Sequence, residues 1–333
     1  MALASAQASK KMPSFLNMDQ ETAVMTEPTM PERRELHFTS GTDRCHAWLY
    51  LPPPAEAGPP PVLVMAHGLG AVKELRLAAF AERFRAAGYA CLVFDYRHFG
   101  DSDGEPRELL SIRRQREDWR AAVAFARSLP DIDRDRVVLW GTSFGGGHAI
   151  ATAAEDRDVV AAIVQCPFTD GLASARQLSP RGTASLAAAA AKDHLARLLG
   201  RPPVRVKVAA RPGEVGLMDA EDVIDGVLGL LDASGLTEDE YRNDVPARVA
   251  LEIPLDAPGR RARAVRCPIL FCVCEADTVA PAPATLRHAA KAPRGEIRLY
   301  PAGHFDIYIG EHFERVVADQ LAFLAAHVPT ATA

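Results

Sequence analysis

The sequence lacks any apolar run that approaches the length of a membrane span. Its first thirty residues also lack the apolar core of roughly 7 to 15 residues that a secretory signal needs. We therefore expect no membrane association and interpret residues 1–32 as a flexible N-terminal tail. The net charge is −5 and no block of like charge occurs, which argues against nucleic acid or an anionic membrane surface as a partner.

The cysteines are scattered and form no recognisable metal-binding pattern. Most of them lie in apolar, strand-like runs, where a free thiol behaves as a small buried hydrophobe. Cys272 and Cys274 flank one residue, but no histidine or further cysteine pair completes a zinc site. This usage is typical of a reducing compartment, so we expect a cytoplasmic protein without a metal. The six cysteines are Cys45, Cys91, Cys166, Cys267, Cys272 and Cys274.

What the sequence does contain is an alternation of short apolar runs and helical stretches. With 48% hydrophobic and 24% charged residues, the 333-residue chain can bury a large core. Two alternating segments, 35–39 and 45–51, predict an opening hairpin. Six later runs are continuously apolar, as in parallel strands covered on both faces: 62–66, 89–94, 137–140, 159–164, 269–274 and 296–300. Helical stretches lie between them at 73–87, 109–128, 145–154, 283–291 and 313–327. The prediction is an α/β fold with a doubly wound, mostly parallel sheet of eight strands.

The alternation stops between residues 167 and 263. This interval holds an Ala-rich helix at 184–199, a stretch with proline and valine at 201–215, and an acidic helical piece at 219–231. It is far longer than an ordinary connection between strand and helix, and long insertions often carry lids or binding elements. We therefore interpret 167–263 as a helical cap, inserted between the core segments 33–166 and 264–333.

Residues 141–145 read Gly-Thr-Ser-Phe-Gly, the G-x-S-x-G pattern, between an apolar run and a small-residue helical stretch. At such a turn between strand and helix, small neighbours permit a strained backbone that projects the serine hydroxyl toward a substrate. The bare pattern is also compatible with an ordinary glycine-rich turn. Its context favours Ser143 as a nucleophile.

A serine hydroxyl needs a base within hydrogen-bond reach and a group that orients that base. On a doubly wound sheet these partners follow later strands in the order serine, acid, histidine. Asp277 and His304 fit that order, since each lies in a short loop directly after a predicted strand. Glu275 and Asp306 are the alternative acids, and the remaining histidines are less favourably placed for the role of base.

The oxygen of an attacked carbonyl gains negative charge, which backbone N–H groups can stabilise. We expect one donor from Phe144, directly after the serine, and one from Leu69 in the loop after the first parallel strand. Gly68-x-Gly70 alone could suggest a dinucleotide loop, but the third glycine of that motif is missing. No cofactor is therefore predicted.

Together, His67-Gly-Leu-Gly70, the serine motif, Asp277 and His304 resemble the α/β-hydrolase superfamily. Within it, the chain is most similar to bacterial hydrolases like dienelactone hydrolase and acetyl xylan esterase, and to fungal polyketide transferases. The resemblance implies that Asp101 and Ser102 brace the loop beside the nucleophile. Dienelactone hydrolases proper carry cysteine where this chain has serine, so that specific activity is not expected. Haloalkane dehalogenases and epoxide hydrolases of this fold require aspartate at the same position, so Ser143 argues against both activities.

The leading hypothesis is a serine hydrolase that cleaves a small carboxylic ester through an acyl-enzyme on Ser143. The alternative is an acyltransferase or thioesterase acting on a polyketide-type thioester, because both reactions share one acyl-enzyme. A third hypothesis is a ligand-binding relative without catalysis, which typically lacks one of the three catalytic side chains. The oligomeric state is left open, with a homodimer among the alternatives.

Overall fold

A sheet of eight strands lies at the centre of the protein, whose computed structural model describes residues 33–54 and 58–330. Residues 1–32, predicted as a tail, lie outside the described residues. In chain order the strands are β1 (Arg34–Ser40), β2 (Asp43–Tyr50), β3 (Val62–Ala66), β4 (Ala90–Phe94), β5 (Val137–Thr142), β6 (Val159–Gln165), β7 (Arg205–Ala209), β8 (Gly216–Met218), β9 (Asp244–Pro246), β10 (Ile269–Cys274) and β11 (Gly295–Tyr300). The α-helices are α1 (Leu77–Ala86), α2 (Ile112–Ser128), α3 (Phe144–Glu155), α4 (Gly171–Ala175), α5 (Pro180–Leu198), α6 (Val223–Ser234), α7 (Ala282–Ala289) and α8 (Gly310–His327).

The strands of the main sheet lie in the order β1-β2-β4-β3-β5-β6-β10-β11. The pairs β1–β2 and β2–β4 are antiparallel, and all other neighbours in this sheet are parallel. The predicted fold class, with its antiparallel start and eight strands, is confirmed. Because parallel strands end at the same edge, the loops after β3, β5, β10 and β11 meet there.

Helices cover both faces of this sheet, which explains why its central strands are apolar throughout. Successive residues of a strand point to opposite faces. Val64 of β3 belongs to the same buried cluster as Trp119 of α2. Its neighbour Met65 belongs to the opposite cluster, with Phe80 of α1. Full burial of one such side chain stabilises the fold by about 1.5–3 kcal/mol.

The segment 167–263 contains the two predicted helices, as α5 and α6. It also contains a second sheet of three strands in the order β8-β7-β9, which the sequence interpretation did not predict. Its strands β8 and β9 have three residues each, too few for alternation to be recognised. The role of this insertion as a cap stays a prediction.

The first helix begins later than predicted. A helix was expected from residue 73, but α1 starts at Leu77. Residues 73–76 form turns, and Arg76 before the helix has a left-handed backbone with φ of 66°. The polar contacts of Lys73, described below, hold this segment outside the helix.

Within residues 33–54 and 58–330, every helix is too short or too polar to span a bilayer.

Candidate active site

Ser143 lies on a sharp turn between β5 and α3. Its φ of 52° and ψ of −120° are unusual for a residue with a side chain. The flanking glycines permit this turn, because a Cβ on Gly141 would overlap the carbonyl oxygen of Gly145 and one on Gly145 that of His67. The turn is held by hydrogen bonds from the Ser143 amide to Gln165 O (2.9 Å) and from the Phe168 amide to Ser143 O (2.8 Å).

The two other predicted residues lie beside this serine. Ser143 Oγ is 3.0 Å from His304 Nε2, and His304 Nδ1 is 2.7 Å from Asp277 Oδ2. The second carboxylate oxygen of Asp277 accepts hydrogen bonds from the amides of Val279 (2.8 Å) and Ala280 (2.6 Å). The structure thus brings together three side chains that follow β5, β10 and β11, in a geometry suited to proton transfer.

The electrostatics of His304 depend on its acidic partner. The ring is 3% exposed, and burial alone would lower its pKa. The Asp277 carboxylate opposes this effect most strongly, and together with Cys166 and Asp222 it raises the pKa of His304 from 6.5 to about 9. The imidazole of this arrangement therefore holds a proton tightly, which suits a group that takes a proton from a hydroxyl.

The competing acids and histidines have other contacts. Asp306 Oδ2 accepts from the Gly303 amide (2.7 Å) and so shapes the loop before His304. Glu275 is exposed. His148 is buried with Nε2 2.9 Å from Gln115 Oε1, and burial lowers its pKa well below 6.5.

The two residues whose amides are expected to bind an oxyanion line the same cavity as the serine. Leu69, Ser143 and Phe144 all line it. Within the part of the chain that the structure describes, neither the Leu69 nor the Phe144 amide donates to another protein group. Phe144 is also the first residue of α3, where the helix dipole favours negative charge. Both donors are therefore free to bind an anionic oxygen.

A buried ion pair supports the loop that carries Leu69. Lys73 and Asp95 are both fully buried, with Nζ 2.8 Å from Oδ2 and the Lys73 amide 2.8 Å from Oδ1. His67 Nε2 lies 3.5 Å from the same carboxylate. The sequence interpretation gave Asp95 no role, although it directly follows β4, the signal that identified Asp277.

Asp101 and Ser102, which the resemblance placed in a bracing role, contact this ion pair and the opening hairpin. Asp101 Oδ2 lies 2.6 Å from Lys73 Nζ and its side chain is 63% exposed. Ser102 Oγ accepts from the His46 amide and donates to Asp95 O, both at 2.8 Å. Both residues therefore contact Lys73 or Asp95 directly.

A cavity opens beside Ser143. Most of its wall is apolar, and a large part comes from the insertion. Apolar members include Phe168, Leu178, Leu186, Leu217, Val223 and Ile253. A mostly apolar wall with a few polar groups is typical of a site for a small organic molecule.

Among the residues that the structure describes, two groups of side chains have donor atoms close enough for a metal ion: Cys166, Asp277 and His304, and His46, Asp95 and Asp101. In the first group Asp277 is engaged by His304 and two amides. In the second, Lys73 Nζ lies between the two carboxylates. Both donor sets already have partners, so we propose no metal. Cys166, which the sequence interpretation treated only as a buried hydrophobe, follows β6 at the same sheet edge.

A doubly wound sheet with a strained serine after its fifth strand, and an acid and a histidine after later strands, defines the class of α/β hydrolases. The chain belongs to the alpha/beta hydrolase family, whose model matches residues 63–319. This confirms the resemblance, and the chain is an enzyme of the hydrolase class.

Relatives and solved structures agree with this assignment. The chain is 52% identical over 295 residues to "Quorum-quenching protein AidA" of Acinetobacter baumannii (strain MDR-ZJ06), covering 89% of this chain and 95% of that protein. It is 28% identical over 311 residues to "Polyketide transferase grgF" of Penicillium sp, covering 91% and 99%. The crystal structure of the alpha/beta hydrolase GrgF from Penicillium sp. sh18 superposes with a TM-score of 0.77 at 24% identity, covering 90% of this chain and all of that one.

The raised pKa of His304 predicts the pH dependence of activity. Only the neutral imidazole can accept the Ser143 proton, so kcat/KM should rise with pH and reach half its maximum above pH 6.5, near the His304 pKa of about 9. In Asp277→Asn the charge that holds the proton is lost, and the midpoint should move to lower pH. The measurement is kcat/KM for a p-nitrophenyl ester from about pH 5 to 10.5. A wild-type midpoint at or below 6.5 would contradict the prediction.

The insertion contacts the loops that carry the acid and the histidine. Gly226 of α6 lies directly against Phe305, because a Cβ there would overlap the phenylalanine ring. Just before α6, Asp222 accepts a hydrogen bond from the Thr278 hydroxyl (2.8 Å), next to Asp277. The α6 region is therefore in direct contact with the residues next to the acid and the histidine.

The contact between α6 and Phe305 predicts opposite effects of two similar substitutions. Gly226→Ala should lower the stability by about 1–3 kcal/mol through overpacking and should also lower kcat. The control Gly229→Ala places a Cβ 3.9 Å from Ile309 Cδ1, an ordinary contact, and should gain up to about 1 kcal/mol of helix propensity. Thermal unfolding and kcat for a p-nitrophenyl ester measure both effects. Equal changes in the two variants would show that the Phe305 contact has no influence.

Proposed function

We propose that the protein hydrolyses a carboxylic ester through an acyl-enzyme on Ser143. The observation that carries the proposal is the hydrogen-bonded series from Ser143 Oγ to His304 Nε2 (3.0 Å) and from His304 Nδ1 to Asp277 Oδ2 (2.7 Å). A hydroxyl, a base and an orienting carboxylate in this order can generate a nucleophile from the serine hydroxyl once the imidazole is neutral.

In the first half of the reaction, Ser143 Oγ attacks the ester carbonyl while His304 Nε2 takes its proton. The bond to the alcohol breaks, and the alcohol leaves with the proton from His304. The Asp277 carboxylate keeps the imidazole in the required tautomer and stabilises its charged form. The Leu69 and Phe144 amides would bind the oxyanion, a role supported by their location beside Ser143 and their lack of a protein acceptor within the described ranges.

In the second half, a water molecule loses a proton to His304 and attacks the acyl carbon. The proton then returns to Ser143 Oγ, and the carboxylic acid leaves. We propose that the insertion 167–263 serves as the cap over the acyl group, because its apolar side chains form much of the cavity wall.

The relative at 52% identity is a quorum-quenching protein, which makes a small signalling molecule with an ester group one candidate substrate class. We also propose a cytoplasmic setting without nucleic-acid partners, supported by six free, buried cysteines and the modest net charge. The oligomeric state stays open, with a homodimer as one alternative, and light scattering coupled to size exclusion can determine it.

The test is a panel of p-nitrophenyl esters of graded acyl length with one thioester of matched length. We expect turnover of at least one ester, with the free acid as the product. Turnover of the thioester alone would favour thioester chemistry, and no turnover of any member would overturn the proposal.

Acyl transfer is the second candidate, because the chain is similar over most of its length to a polyketide transferase and the acyl-enzyme is the same. A thioester donor incubated with and without an alcohol acceptor separates the two reactions. New ester formed with the alcohol would support transfer, and free acid alone in both mixtures would exclude it.

A further inference from the structure

One charged side chain, Asp219, occupies the otherwise neutral wall of the cavity beside Ser143, among the residues that the structure describes. It follows β8 and precedes α6 in the insertion. It is only 6% exposed, so water reaches it little. Its neighbours in the wall include Leu217, Met218 and Val223. A carboxylate in such surroundings is costly unless it receives hydrogen bonds.

The protein itself satisfies this carboxylate only in part. Its Oδ2 accepts one hydrogen bond from the Ser179 hydroxyl (3.1 Å). Within residues 33–54 and 58–330, no lysine, arginine or histidine lies within ion-pair distance of Asp219. A carboxylate can accept about four hydrogen bonds, so most of the capacity of this cavity-lining group is not used by the protein.

We propose that Asp219 is a specificity-determining residue that accepts a hydrogen bond from an O–H or N–H group of the substrate, several atoms away from the reacting carbonyl. The substrate class is therefore an ester whose apolar chain carries a donor, rather than a plain alkyl ester. This inference rests on the proposed ester hydrolysis and deepens it. A site that presents an acceptor rejects a ligand without the donor, because the buried acceptor then remains unpaired.

A purely structural role for Asp219 predicts a different result from a role in substrate binding, so experiment can separate the two roles. Ser179 is the N-cap of α5, where its Oγ accepts from the Gly182 amide (3.1 Å), and Asp219 fixes this hydroxyl. If Asp219 served only to hold Ser179, Ser179→Ala would reproduce the effects of removing Asp219. If Asp219 binds substrate, Ser179→Ala leaves the carboxylate in the cavity and the substrate preference intact.

The experiment compares p-nitrophenyl octanoate with its 3-, 6-, 7- and 8-hydroxy analogues and its 8-amino analogue. In the wild type, kcat/KM for at least one analogue with a donor should exceed that for octanoate by about tenfold, the size of a hydrogen bond to a charged group. Asp219→Leu should abolish this preference and raise kcat/KM for octanoate, mainly through KM. Ser179→Ala should keep the wild-type preference, even if its thermal unfolding temperature falls. Preference for the amino analogue supports the inference and identifies a cationic donor.

Three results would overturn the inference: no analogue preferred by the wild type, a preference retained in Asp219→Leu, or the same loss of preference in Ser179→Ala. Asp219→Asn, which keeps one acceptor oxygen, provides a variant of nearly unchanged shape if the leucine variant fails to fold, and it should show a reduced preference. Turnover of octanoate itself tests the ester hydrolysis separately. If octanoate is hydrolysed but the wild type shows no preference for an analogue with a donor, only the role of Asp219 is excluded.

Discussion

Ser143→Ala is expected to lower kcat for a p-nitrophenyl ester by about 10⁴- to 10⁶-fold, because the nucleophile is the one group that the other catalytic residues cannot replace. Covalent labelling by a fluorophosphonate should disappear with it, since the reagent forms its bond to an activated serine oxygen. Alanine has a Cβ as serine does, so the steric cost of a backbone φ of 52° is the same in the variant. The fold should therefore persist, with an unfolding temperature close to that of the wild type.

A matched control comes from the same cavity. Ser174 also lines the wall beside Ser143, yet Ser143 alone of these two hydroxyls has His304 Nε2 within hydrogen-bond distance. Ser174→Ala should therefore label and turn over like the wild type. Equal labelling of the wild type and Ser143→Ala, read by gel fluorescence and intact-protein mass, would end the assignment of Ser143 as nucleophile.

The sheet could be predicted from the sequence because its strands are buried on both faces. Continuous apolar runs then coincide with the strands, and the bounds of β3 and β10 were predicted to the residue. The start of α1 was predicted too early, because the apolar periodicity extends through residues whose backbone is fixed by a distant partner. Lys73 finds that partner in Asp95, 22 positions along the chain. Local pattern carries no information about such a pairing.

The candidate site could be predicted from the sequence for a different reason. Ser143, Asp277 and His304 each follow a strand, and the topology of a parallel sheet places such loops side by side. The structure brings these three side chains into hydrogen-bond contact. Their chemical roles stay predictions that the variants above test.

The contacts between the insertion and the core could not be predicted. Gly226 lies against Phe305, and Asp219 lines the cavity, in a part of the insertion that is built on the small sheet β8-β7-β9 and α6. Those short strands give little periodic signal. In sequence alone, Asp219 is one acid among several in an acidic helical piece, and nothing local distinguishes a buried carboxylate from a solvated one.

Removal of the amine that balances the buried Asp95 carboxylate should have the largest effect on stability. In Lys73→Met the side chain keeps its length and apolar stem but leaves Asp95, fully buried, without its cation. Breaking one half of a buried ion pair costs about 3–5 kcal/mol, because the remaining charge is uncompensated. Burial opposes ionisation of Asp95, but His67 and Lys73 lower its pKa from 3.8 to about 2, so the charge is present at neutral pH. Urea unfolding at neutral pH measures the loss.

The second carboxylate that contacts the Lys73 amine supplies the control. Asp101 lies 2.6 Å from Lys73 Nζ, but its side chain is 63% exposed, and exposed ion pairs contribute about 0–1 kcal/mol. Asp101→Asn should therefore change the free energy of unfolding by less than about 1 kcal/mol. The double variant Lys73→Met, Asp95→Asn should recover part of the loss, because it removes the uncompensated charge. If Lys73→Met were no more destabilised than Asp101→Asn, the buried pair would not be what holds the loop of Leu69 against the sheet edge.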